Sequence, residues 1–349
     1  MARARAVPTR AAVAAIVGLH ALFMLAPPLL SQDAFSYLAY ARLEVLHGIN
    51  PYASGPLATP GDTVFPFAGS KGTPSVYGPV FTLLSEPLAR MSVPAAFWVL
   101  KTVAASSSLV AVGLVWRAAE RRGRDPVAPT LLVGLNPALL VHVVGGAHND
   151  ALILVLMAGS LLAFSGGRTS ASAGLAAAAA AIKASAAIAA PFLVAGSRRI
   201  GPALGAAAAV VVVAAALGLA AFGTPALAWI ETAWANQTHG SSLSLPSVTA
   251  TLLALPLPVE RSDLLRPVRL ALGMGLAVLV TWLLVRTRRG ADAVAMAGWA
   301  TIALLLATAW LVPWYIAWLL PLAAVAGDPR LRAATVIMTA WVLAIAIPF

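Results

Sequence analysis

Apolar runs long enough to cross a bilayer recur from one end of the chain to the other, and the polar stretches between them are short except in two places. Residues 11–30 carry no charge, and at 1.5 Å per helical residue they cover a hydrocarbon core of about 30 Å. Other apolar runs, with Lys101 and Arg269 as their charged residues, occupy 94–116, 126–147, 151–167, 200–222, 267–285 and 333–349, and 293–327 is long enough for two crossings joined by the aromatic turn 311–318. The first long polar excursion, 31–94, holds two amphipathic pieces, 34–46 and 80–91. In the first, Phe35, Leu38, Ala39, Leu43 and Leu46 recur at helical spacing while Arg42, Glu44 and His47 lie elsewhere, the pattern of a helix lying in the membrane interface. His47-Gly48-Ile49-Asn50-Pro51-Tyr52 then ends it. The second excursion, 223–266, contains Trp229, Glu231, Trp234, Asn236 and His239. It also holds a Pro-bounded apolar piece, 247–257, read as interfacial or partly inserted.

One stretch breaks the rhythm. Lys183 has uncharged flanks, 169–182 and 184–197, each only about 21 Å long as a helix. A single spanning helix would carry Arg198 and Arg199 across the membrane, whereas a hairpin keeps them on the side of Arg168. Because an ammonium at mid-membrane needs water, a partner or a phosphate, the hairpin with Lys183 at its tip is expected. The whole is a single all-α integral-membrane domain over 1–349, of about ten or eleven spans.

Composition agrees: 60% of the 349 residues are hydrophobic and 10% charged, against about a quarter charged in soluble domains. The net charge of +11 is dispersed in short basic clusters between spans, which argues topology and membrane-lipid contact, with no nucleic-acid partner. Arg3, Arg5 and Arg10 place the amino terminus in the cytoplasm by the positive-inside rule. The same side then receives most of the 23 Lys and Arg, and the other side most of the 12 acids. The 11–30 run is too long for a signal-peptide core and lacks a small-residue cleavage site before Gln32, so it is expected to stay uncleaved. The absence of cysteine excludes disulfides and thiolate chemistry. No phosphate-cradling loop, dinucleotide fingerprint, zincin helix or nucleophile elbow occurs.

Five segments carry a likeness to a known family: Gln32-Asp33-Ala34-Phe35-Ser36-Tyr37, Gly48-Ile49-Asn50-Pro51-Tyr52, Tyr77-Gly78-Pro79, Gly146-Ala147-His148-Asn149-Asp150-Ala151-Leu152 and Pro313-Trp314-Tyr315. In this order they resemble bacterial GT-C glycosyltransferases, in particular the polyprenol-phosphate-mannose-dependent alpha-1,6-mannosyltransferases. The resemblance implies a multi-span fold in the bacterial cytoplasmic membrane with its active site facing the periplasm or cell exterior. It also implies a polyprenyl-phosphate sugar as donor and a lipid-linked glycan or polysaccharide as acceptor. Two departures stand out: the chain is shorter than a typical mannosyltransferase, and Asp33 has no adjacent second acid.

On that reading Asp33, where hydrocarbon gives way to water, is the general base that takes the acceptor's proton in an inverting transfer. Its other reading is an N-cap of the following helix. His148, Asn149 and Asp150 emerge on the same side and would orient the acceptor or hold sugar hydroxyls; alternatively Asn149 and Asp150 cap the next helix. Lys183, with Arg42 and Arg261 or Arg266 behind it, would neutralise the departing phosphate, unless Lys183 snorkels from a full helix. Tyr37, Tyr52, Tyr77, Trp314 and Tyr315 suit stacking on sugar faces or an interfacial belt. One His and scattered carboxylates make no recognisable ligand set, so no metal or other cofactor is assigned and a divalent ion stays open. A transporter or flippase of lipid-linked sugar, using Lys183 and Asp150 along its path, and a scaffold without chemistry are the competing classes; no internal repeat supports the transporter.

Overall fold

The computed structural model describes residues 7–238, 240–256 and 258–346. Arg3, Arg5, His239, the last residue of the expected 247–257 helix and the end of the 333–349 run lie outside the described residues. The described chain is all-α, with no strand. Its helices are α1 (Thr9–Leu25), α2 (Asp33–His47), α3 (Pro79–Ser85), α4 (Val93–Arg121), α5 (Val127–Gly134), α6 (Asp150–Ser165), α7 (Thr169–Ile182), α8 (Ala190–Ala195) and α9 (Ile200–Phe222). They continue as α10 (Trp229–Ala235), α11 (Leu245–Ala254), α12 (Arg261–Arg288), α13 (Ala293–Ala307), α14 (Ile316–Ala326) and α15 (Pro329–Ile345).

Among the described residues three helices, α4, α9 and α12, are individually long and apolar enough to cross a membrane. The other apolar runs form shorter or interrupted helices, and each interruption has a local cause. In 126–147 the chain leaves α5 at Gly134, because Pro137 disfavours the α conformation at Asn136. The Asn136 side chain accepts the Leu139 N–H and donates to Thr339 Oγ1, and the chain resumes as a π-helical turn, Leu139–Val144. Such turns tend to mark functional regions. α13 and α15 start where aspartates cap them: Asp292 accepts from Val294 N, and Asp328 from Arg330 N and Leu331 N ahead of a helix that opens with Pro329.

The 169–197 stretch is a hairpin. α7 stops at Ile182, Lys183 is extended (φ −151°, ψ 119°), and a 3-10 segment Ala184–Ala189 leads into α8 back alongside α7. The carbonyl of Ile182, freed at the end of α7, accepts the backbone N–H of Gly78 at 2.9 Å. Any Cβ at Gly78 would run into the carbonyl of Ala181, so the glycine of Tyr77-Gly78-Pro79 is what lets the first loop clamp the hairpin.

α14, every residue of which is buried, is the central post, with α4, α5, α6 and α13 packed around it. α9 and α12 lie at the edge, with most of their apolar side chains facing outward. α2 forms where the amphipathic pattern placed it, but it is more deeply docked than an interfacial helix: Ala34, Ser36, Tyr37, Leu38, Ala39, Tyr40, Ala41 and Leu43 are all buried. The reason is that it is covered from above by the loop and α3 and packs below on α4.

Candidate active site

The site forms where the amino-terminal ends of α2 and α6, the tip of the 169–197 hairpin and the start of α14 meet. Asp33 is the first residue of α2, yet its side chain caps nothing; Ser31 Oγ accepts the Asp33 N–H at 3.1 Å. The Asp33 carboxylate instead turns inward, with Oδ2 3.5 Å from Nδ1 of His148, and 29% of its side chain stays accessible. Burial pushes Asp33 up to about 6; Lys183 pulls it down, Asp150 adds to the rise, and the Tyr77 hydroxyl pulls it down again.

His148 is presented by a strained turn. After the π-helical segment, Ala147 adopts φ 55°, a left-handed conformation that costs a non-glycine residue about 1–2 kcal/mol. A Cβ on Gly146 would come within 2.9 Å of the His148 ring, so glycine there gives the ring its place. The imidazole is fully buried and stacks on Trp314 at 3.9 Å between centroids. Tyr37 steadies the turn: its hydroxyl donates to Asn149 Oδ1 (3.2 Å), accepts the Asn149 backbone N–H (3.3 Å) and lies 3.4 Å from His148 Nδ1. His148 Nε2 and Asn149 Nδ2 are buried with no hydrogen-bond partner in the protein, a costly arrangement unless something else supplies one.

Next to this pair lies a second. Asp150, wholly buried, does not cap α6; its two oxygens receive the Lys183 ammonium at 3.1 Å each, and Oδ1 also accepts Trp318 Nε1 at 2.6 Å. The ammonium lies 4.6 Å from the Tyr315 ring centroid and 5.4 Å from that of Trp318, and these two rings stack at 4.1 Å. Lys183 thus comes from a broken hairpin and meets a fixed carboxylate and two aromatic faces, where a snorkelling residue would leave a continuous helix. A narrow apolar crevice lined by Phe81, Leu100, Val103 and Leu152 leads to Tyr37, His148 and Asn149. A surface depression of ≈ 440 Å³ lies elsewhere, lined by Arg117, Glu120, Arg121 and Leu162, with no acid–imidazole pair.

Of the residues expected from the sequence, Asp33, Tyr37, Tyr77, His148, Asn149, Asp150, Lys183, Trp314 and Tyr315 are brought together. Two are not. Arg42 is bound to Asp62 (2.8 Å) and to the carbonyl of Ala89 (2.7 Å), and lies nine residues along α2 from Asp33, about 13 Å at helical rise. Tyr52 is buried against Phe222 and bonded to Thr82 and the carbonyl of Tyr77, which places it behind Tyr77. Arg261 and Arg266 are exposed near the start of α12. Trp318 and His142 were not foreseen. Trp318 falls one helical turn after Trp314, a spacing visible in the sequence. His142, buried with Nδ1 unpartnered and 6.3 Å from the Trp314 centroid, had no signal in the charge-free run around it. Among the described residues no three His, Asp or Glu side chains group as a cation would require. With Asp150 held by Lys183 and Trp318, Asp33 and His148 are what remains of the site's carboxylate and imidazole donors.

Residues 1–198 match the family profile described as alpha-(1->6)-mannopyranosyltransferase, N-terminal domain. The chain belongs to this family. Residues 243–349 match a second profile, the MptB C-terminal domain. Alpha-(1->6)-mannopyranosyltransferase A of Mycobacterium tuberculosis is 30% identical over 92% of this chain and 66% of its own length. A probable alpha-(1->6)-mannopyranosyltransferase of Mycolicibacterium smegmatis is 29% identical over 90% and 65%. Alpha-(1->6)-mannopyranosyltransferase A of Corynebacterium glutamicum is 26% identical over 85% and 67%. The chain therefore spans about two thirds of the length of the curated relatives it matches. All of the clustered residues except Trp314, Tyr315 and Trp318 fall within the N-terminal match, and those three fall within the C-terminal one.

Proposed function

We propose that this chain transfers a mannosyl group from a polyprenyl-phosphate mannose to a lipid-linked glycan acceptor, on the outer face of the bacterial cytoplasmic membrane, with inversion at the anomeric carbon. The acceptor hydroxyl oxygen attacks that carbon, the bond from carbon to phosphate oxygen breaks, the proton passes to Asp33, and polyprenyl phosphate departs with the bonding electrons. Asp33 has the reach and the raised pKa that suit a base working near neutral pH. His148, held by Tyr37 and Trp314, orients Asp33. The two N–H bonds of Lys183 to Asp150 leave its third for the departing phosphate, and binding that charge at a low-dielectric site favours the transition state. Asn149 Nδ2 and His148 Nε2, unpartnered within the protein, face the need for hydrogen bonds that sugar hydroxyls meet.

The observation that carries the reading is the adjacency of an accessible carboxylate on an imidazole and a buried carboxylate on an ammonium, in a chain whose family is named for mannosyl transfer. Membranes containing the chain, supplied with labelled polyprenyl-phosphate mannose and a lipid-linked mannan acceptor, are expected to yield labelled glycan. Asp33→Asn is expected to abolish the label while leaving the protein folded. Full turnover by that variant overturns the base assignment. Movement of lipid-linked sugar across the membrane with no new glycosidic bond would favour a transporter instead.

A further inference from the structure

At the end of the bundle away from Asp33, where α4 and α14 finish and α15 begins, a second set of charges gathers that mannosyl transfer does not use. The carbonyl of Val325, in the last turn of α14, accepts from two guanidiniums: Arg122 Nη1 at 2.9 Å and Arg124 Nη1 at 2.6 Å. One cation is enough to complement the negative end of a helix; here there are two on one oxygen. Arg122 has a counter-charge, since Asp292 receives it on both oxygens at 2.9 and 3.1 Å. Arg124 has no carboxylate partner among the described residues, and it lies flat on Gly327, where any Cβ would displace it.

The third guanidinium is Arg332, from the first turns of α15, whose Nε is buried without a hydrogen-bond partner. The Arg332 backbone N–H donates to the carbonyl of Asp328 at 3.1 Å, one residue after the Gly327 on which Arg124 lies; burial lowers the pKa of Arg124, and repulsion from Arg122 and Arg332 adds to this against the pull of Asp292. Two further acids are nearby: Asp328 is committed to capping α15 and to Trp299 Nε1, and Asp125, next to Arg124 in the chain, accepts the Val127 N–H. Guanidinium donors in a fork match phosphate oxygens. Three of them gather at one helix end, and among the described residues the one carboxylate ion-paired to them is Asp292, which leaves an unmatched place for an anion.

We infer that Arg124 and Arg332 form a phosphate-binding site, with Arg122 as its fixed wall, on the face of the membrane opposite the proposed transferase site. The ligand class is a phosphate anion, either the headgroup of an acidic phospholipid in that leaflet or free inorganic phosphate. This inference does not depend on the transfer reaction.

The test uses the full chain, purified in zwitterionic detergent and titrated separately with phosphatidylglycerol, phosphatidylcholine and inorganic phosphate, with bound lipid read by native mass spectrometry and thermal unfolding followed in parallel. Phosphatidylglycerol is expected to be retained over phosphatidylcholine by about tenfold, roughly 1.4 kcal/mol. Arg332→Gln and Arg124→Gln should each lose most of that preference, whereas Arg330→Gln, at an exposed neighbour, should keep it. If inorganic phosphate alone stabilises the wild type and the two glutamine variants abolish that response, the site stands with free phosphate as its ligand. Because Arg332 Nε makes no hydrogen bond, Arg332→Gln is the variant expected to fold normally, and it decides the matter should Arg124→Gln unfold. Unchanged preference in folded Arg332→Gln, equal loss in Arg330→Gln, or no response to any of the phosphates overturns the inference.

Discussion

The ammonium of Lys183 bridges both carboxylate oxygens of Asp150 at 3.1 Å, across 33 residues of chain, at the point where α7 breaks. The carboxylate is wholly buried and the ammonium nearly so, so each charge is held in place by the other. Removing one partner of such a pair costs about 3–5 kcal/mol, because the other is left uncompensated, while replacing both is much milder. Lys183→Met is therefore expected to lower thermal stability sharply in detergent. Asp150→Asn combined with Lys183→Met should regain most of the loss yet stay inactive in mannosyl transfer. A double variant no more stable than Lys183→Met would show that the pair does not act as a unit.

Asp33 is expected to set the acid limb of the reaction. It acts as a base only when ionised, and burial raises it to about 6, so kcat/KM should be level above that pH and fall about tenfold per pH unit below it. The linkage to stability runs the other way. The folded value lies above the unfolded one of about 3.9, so ionised Asp33 works against the fold; this penalty is absent below about pH 4 and complete above about pH 6. Asp33→Asn should thus match the wild type in thermal stability near pH 4 and exceed it at pH 7 and above, while making no product. A variant less stable than wild type at pH 7 contradicts this.

Tyr37→Phe keeps the ring, which meets Tyr77 and Phe81 edge-on at 4.8 Å each, and removes only the hydroxyl. Asn149 then loses two hydrogen bonds in a buried turn, at a cost of about 1–3 kcal/mol, and the His148 ring loses a neighbour that limits its rotation. The expected result is a modest drop in melting temperature and a fall in kcat of about tenfold or more, with the acceptor KM little changed. Steady-state kinetics in which KM rises and kcat holds would place Tyr37 in binding instead.

Arg42 separates the two readings of the outer loop. Its bonds to Asp62 and Ala89 tie α2 to the loop, and Asp62 also accepts from His47 Nε2 at 2.7 Å and from Val64 N. Arg42→Gln is expected to destabilise the chain by about 1–3 kcal/mol and to leave the KM for the polyprenyl-phosphate donor within about twofold. A large rise in donor KM without loss of stability would return Arg42 to the phosphate.

Much of the molecule was legible before its structure. Hydrocarbon disfavours charge, so the apolar runs, the loops between them and the hairpin at Lys183 could be read from the order of residues alone. The turn before Pro137 and the aspartate caps of α13 and α15 belong to the same class, since each acts on backbone within three or four residues of itself. The depth to which α2 is buried was not readable, because it depends on what the loop folds over it.

The linear order of residues decided the helical class, the succession of apolar segments and polar loops, and which few polar groups flank those segments. Residue type and position did not tell whether Asp33 and Asp150 cap their helices. Neither does, because the packing offers their side chains partners far along the chain: Asp33 lies against His148, which Tyr37 meets across 111 residues, and Asp150 meets Trp318 across 168. Contacts of that kind depend on how helices pack side by side, and side-by-side packing leaves no period in the sequence. The same packing drew Arg42 and Tyr52 away to neighbours of their own and set Trp318 against the buried carboxylate.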